Sequence, residues 1–88
     1  MNYFILYVTF KNDLTEEMYV KGKSINYILE QIGRYTDGII STSHTTISTH
    51  HAKSIYVRQI DLNHFPHLSK RDFRMINENQ SYNYADLN

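Results

Sequence analysis

Apolar and polar positions alternate most clearly at the start of the chain. In "NYFILYVTF" (residues 2–10), Phe4, Leu6, Val8 and Phe10 fall on one side of an extended backbone; Tyr3, Ile5, Tyr7 and Thr9 fall on the other. Both sides are largely apolar, which predicts a central strand covered on one face and half covered on the other. Asn12 and Asp13 suit a tight turn. "TEEMYVK" then sets Glu17, Tyr19 and Lys21 against Met18 and Val20, the pattern of a second strand paired to the first.

The period changes after Gly22. Ile25, Ile28, Leu29 and Ile32 recur at i, i+3, i+4 and i+7, one apolar stripe of a helix with Ser24 as its N-cap. Gly33 and Asp37–Gly38 end it. About three turns do not persist alone, so the helix is expected to pack on the hairpin. "IISTSHTTIST" reads as a polar, β-branched edge strand or hairpin arm, with a turn at "HHAK". "SIYVRQIDL" is a further strand, Tyr56, Arg58 and Ile60 facing one way and Ile55 and Val57 the other. Pro66 breaks the pattern. "SKRDFRMINEN" reads as a short helix capped by Ser69, with Leu68, Phe73 and Ile76 inward.

The predicted fold is therefore α+β: a two-layer sandwich of order β-β-α-β-β, with an antiparallel or mixed sheet of about four strands and a short C-terminal helix. A β-grasp-like arrangement shares that element order. Residues 1–80 form one small domain, and residues 81–88 a polar, flexible tail whose Tyr82, Tyr84 and Leu87 are available to dock.

Composition narrows the function classes. The chain has 88 residues and no cysteine, which removes disulfides, thiolate metal sites and cysteine nucleophiles. An unstapled domain of this size points to a reducing cytoplasm. "NYFILYVTF" lacks the flanks of a signal peptide and is too short to span a bilayer. Nine basic and nine acidic residues cancel, so no global charge draws the chain to nucleic acid or membrane. The abundance of Tyr, Asn and Ile, whose codons are rich in A and T, fits a phage or mobile element of a low-GC host.

Three residue sets carry candidate chemistry. The oddest stretch is "STSHTTISTHH" (residues 41–51), with four threonines, three serines and three histidines. If extended, it places His44 and His50 about 20 Å apart, too far for one metal ion. A metal set is conceivable only where a turn at 50–53 brings His50 or His51 to His64 and His67, the latter two spaced for one helical turn. Within this stretch "HTTI" (44–47) resembles the half-motif of two-histidine phosphoesterases, a family that uses the histidine as acid or base and the hydroxyl to hold phosphate. That chemistry needs a second such motif; "HHAK" and "HFPH" lack the hydroxyl, and "HLSK", which places Ser69 two after His67, stands in a poor context near Pro66. The second set is Lys53, Arg58, Phe65, Lys70, Arg71 and Arg74, cations and an aromatic suited to phosphates and a stacked base. Asp61 and Asp72 offset it.

The third set is Tyr3, Tyr7 and Tyr19, which share the outer face of the hairpin if Phe4, Leu6 and Met18 face the helix. Tyrosine offers large contact area at small entropic cost. Gly22, Gly33 and Gly38 mark element ends, so no phosphate-cradling loop is present, and no catalytic constellation or cofactor motif emerges. The leading expectation is a non-enzymatic binding or regulatory protein that works by contact with another protein, a host protein if the chain is phage-encoded. Homodimer formation is compatible with the same face. A nucleic-acid module built on 53–74 and a histidine-dependent phosphoesterase or metal protein follow in that order.

Overall fold

The computed structural model describes residues 1–34, 39–42 and 46–77. Its elements are β1 (Asn2–Phe10), β2 (Thr15–Gly22), α1 (Ile25–Arg34), β3 (Ile39–Ser41), β4 (Thr46–Ser48), β5 (Ala52–Ile60) and β6 (Arg74–Met75). The main sheet is mixed, in the order β5-β1-β2-β6. Strand β1 pairs antiparallel with both neighbours, and β6 lies parallel to β2. The α+β class is the one the pattern predicts; the strand order is more elaborate than four sequential strands.

The hairpin closes as the sequence implies. Asp13 takes the left-handed conformation, φ 68°, which aspartate tolerates in turns. Its N–H donates to the Phe10 carbonyl at 2.9 Å, and the Asn12 side chain accepts from the Leu14 N–H at 3.2 Å.

On the inner face, Phe4, Leu6 and Val8 pack with Met18, Val20 and Ile28 in one buried cluster. Helix α1 lies over β2 and β5. Ser24 caps it, its Oγ accepting from the Tyr27 N–H at 3.1 Å. The buried side of α1 is rotated from the expected stripe. Ile28 and Gln31 are buried, whereas Ile25 and Leu29 are exposed. The reason is the short β2–α1 connection, which seats Tyr27 and Ile28 directly on Gly22. A Cβ there would lie 2.9 Å from both side chains.

Two expected elements are replaced. Residues 41–51 are not one extended strand: β3 and β4 form an antiparallel ribbon with Ile40 opposite Ile47. Both isoleucines are buried in the main cluster. Seven residues apart on a single strand they would face opposite ways; folding back puts both into the core. A 3-10 turn at Thr49–His51 then leads into β5. The expected C-terminal helix is instead a 3-10 turn at Lys70–Asp72 followed by β6. Phe73 joins the cluster on the outer face, and Ile76 the one on the inner face. Three residues apart on a helix they would share a side, so only extended backbone sends them to opposite faces. Asn77 closes the segment in the left-handed conformation, fully buried, its Nδ2 donating to the Gln31 carbonyl at 3.1 Å. His44, the Asp37–Gly38 stop and the 81–88 tail, with Tyr82, Tyr84 and Leu87, lie outside the described residues.

Candidate functional site

The outer face of the sheet divides into two halves. Cross-strand register arranges it in rows of directly opposed residues: Lys21–Tyr3–Ile60, Tyr19–Ile5–Arg58, Glu17–Tyr7–Tyr56 and Thr15–Thr9–Ser54. The segment between β5 and β6 must cross this face to reach the far side of β2, and it does so over the first rows. Its Phe73 is fully buried with Ile5 and Ile60, and Leu62, Phe65 and Leu68 pack around them. Tyr3 and Tyr19 meet the Phe73 ring edge-on, centroids 5.1 and 5.7 Å away. Asp61 starts the crossing by accepting from the Asn63 N–H at 2.9 Å, and the Asp72 carboxylate accepts from the Ser69 N–H at 2.7 Å.

The other half stays open. Tyr7 and Tyr56 lie across the β1–β5 seam with ring centroids 6.0 Å apart, and Tyr56 is 64% exposed. Exposed Glu17 and Arg58 flank this pair. The Tyr19 hydroxyl donates to Glu17 Oε2 at 2.7 Å, which holds the tyrosine's pKa above its usual value, with burial adding to the rise. Arg58 lies 5.5 Å from the Phe65 ring centroid, at the border between the halves. The surface thus offers two aromatic rings between a carboxylate and a guanidinium.

The three tyrosines singled out from sequence therefore share one face but not one environment. All three are half-buried against the Ile5–Ile60–Phe73 cluster. Tyr3 and Tyr19 meet the Phe73 ring, whereas Tyr7 sits at the cluster's margin beside exposed Tyr56. Tyr56 was absent from that set. The alternation of residues 54–60 fixes its face, but its pairing with Tyr7 depends on the β1–β5 register, which no local signal encodes.

The cationic set does not form one stripe. Lys53, near the start of β5, pairs with Asp13 at 3.2 Å, both well exposed. Lys70 and Arg71 are exposed on the turn before β6, at the opposite edge of the sheet. Arg74 turns back to donate to the Arg71 carbonyl through Nη1. Phe65 is half-buried in the outer cluster rather than free to stack on a base.

The histidine set is also divided. His50 and His51 precede β5, while His64 and His67 follow it. Nine extended residues keep the two pairs roughly 25–30 Å apart. Among the described residues no group of three or more His, Asp or Glu side chains is placed to hold a metal ion. His51 lines a shallow open depression of about 240 Å3 with Phe10, Lys11 and Asn12. Compared with protein families, curated proteins and solved structures, the chain matches none.

Proposed function

We propose that this chain is a small non-enzymatic protein that acts by contact with another protein, through the open half of the outer sheet face. One observation carries the reading. Tyr56, 64% exposed, is left uncovered beside half-buried Tyr7 at the margin of a sealed aromatic cluster. Large exposed rings on a rigid sheet, rimmed by charges, are the usual anchors of protein interfaces. The rim favours a partner that presents a cation opposite Glu17 and a carboxylate opposite Arg58. The absence of cysteine fits action in the cytoplasm, and the AT-rich residue usage fits a phage or mobile element whose partner is a host protein.

The test is quantitative affinity capture from host lysate with the wild-type chain and the Tyr7→Ser/Tyr56→Ser variant. The reading predicts a protein enriched by the first and lost with the second. Equal capture by both, or no specific capture by a folded wild type, would overturn it.

A further inference from the structure

We propose that the free edge of β5 is the interface of a two-fold dimer, in which β5 of one protomer pairs antiparallel with β5 of its partner. Among the described residues β5 pairs with β1 alone. The pairing runs without interruption from Ser54 to Ile60 and breaks at Lys53, where the register shifts, and the strand contains no proline. Such an edge presents a row of unpaired N–H and C=O groups. Charged residues are the usual protection, but both cations of β5 are engaged within their own protomer: Lys53 with Asp13, and Arg58 over Phe65. The opposite edge, β6, is two residues long.

The pattern of β5 is complementary to itself. A two-fold axis through Tyr56 sets Tyr56 against the partner's Tyr56 and Ile55 against the partner's Val57. It sets Ser54 against the partner's Arg58, the regular part of β5 ending there at the bulge. Directly opposed residues share a face in any antiparallel pair. Apolar residues therefore meet on the inner face, aromatic rings meet on the outer face, and no like charges are opposed. Ile55 and Val57 are half-buried at the margin of the main core. A second strand would continue that core across the axis.

Helix α1 supplies a second, independent match. Its Tyr27 flank lies against Gly22 at the end of β2, and Gln31 receives Asn77, which follows β6. That flank therefore faces the β2–β6 side. At 100° per residue, Ile25, Ile32 and Leu29 occupy the opposite flank, on the β5 side. Ile25 is 37% exposed and Leu29 50%. The same two-fold that pairs the strands turns these apolar flanks toward each other across the seam, as an isologous interface requires. Zero net charge removes any global repulsion between copies.

The dimer would also double the contact surface, since the row becomes Glu17–Tyr7–Tyr56 followed by the same row reversed. The dimer itself rests on the pattern of β5 and α1, not on that reading. A monomer that still captures a partner through Tyr7 and Tyr56 would overturn the dimer alone.

Sedimentation equilibrium of the full chain, from about 1 μM to about 1 mM, tests the proposal. The wild type should show a monomer–dimer equilibrium in this range. Tyr56→Lys, at an exposed position, places two ammonium groups on the axis and should raise the dissociation constant at least about tenfold. Mixing Tyr56→Lys with Tyr56→Glu should restore dimers as heterodimers. In a chain without cysteine, Tyr56→Cys should cross-link on oxidation because its two copies are opposed. Arg58→Cys should not, since its copies stand about 13 Å apart along the strand. A wild type monomeric throughout, or a dimer indifferent to Tyr56→Lys and to the cross-link position, would overturn the proposal.

Discussion

The two faces of the main sheet carry similar numbers of apolar residues and meet different fates. On the inner face, Phe4, Leu6 and Val8 are fully buried beneath α1 and the β3–β4 ribbon. On the outer face, one connecting segment covers the half around Ile5, Ile60 and Phe73, with Tyr7 at its margin, and leaves the half around Tyr56 open. The inner face is built from aliphatic residues and phenylalanine, which have no reason to meet water. The outer face buries Ile5, Ile60 and Phe73 and surrounds them with tyrosines, which tolerate either environment because one end of the ring is polar. Residue type thus separates a face committed to stability from one with surface to spare for contact.

Substitutions break this comparison in graded ways. The largest effect belongs to the inner face. Phe4→Ala should cost about 3–5 kcal/mol, read from the urea midpoint, and so bring the domain close to unfolding. Next comes the contact that ties the last described residues to α1. Asn77→Ala removes the hydrogen bond to Gln31 and puts alanine at φ 55°. About 2 kcal/mol of destabilisation is expected, and Asn77→Gly should relieve the backbone part of it. Gly22→Ala should cost about 1–2 kcal/mol, because its Cβ would press on Tyr27 and Ile28 and lift the start of α1.

The smallest effect lies at the border of the open half. Tyr19→Phe removes the hydrogen bond to Glu17 and should cost under about 1 kcal/mol. Folding raises the pKa of Tyr19 above 10.0, so the neutral hydroxyl is the form that the fold favours. The difference between wild type and Tyr19→Phe should be constant below about pH 10 and shrink as pH rises through the folded pKa. A difference that grows with alkalinity would show that the hydroxyl does not donate to Glu17.

Much of the fold is legible locally. The alternation of residues 2–10, the Asn12–Asp13 turn and the Ser24 cap each specify the element that forms. The misread segments are those where a distant partner decides. "STSHTTISTHH" has strand-like residues throughout, but only the need to bury both Ile40 and Ile47 folds it back into a ribbon. "SKRDFRMINEN" has helical spacing between Phe73 and Ile76, yet these residues serve opposite faces of the sheet. Gln31 and Asn77 read as surface residues until the end of β6 brings them together. For the candidate site, sequence alone places Tyr3, Tyr7 and Tyr19 on one face of the hairpin, which they share in the fold. It does not separate the sealed from the open half, because that depends on where residues 61–73 cross. The histidine set dissolves for the same reason: β5 is nine residues long, and it holds the two pairs at opposite ends.

The most direct test of the division within the outer face is to unfold Phe73→Ala and Tyr7→Ser/Tyr56→Ser side by side in urea. Loss of Phe73 should cost about 3–4 kcal/mol, whereas the double tyrosine variant, which removes half-buried Tyr7 with exposed Tyr56, should cost about 1–2 kcal/mol. A double variant as unstable as Phe73→Ala would contradict the account, because Tyr7 and Tyr56 would then belong to the core rather than to a surface free for contact.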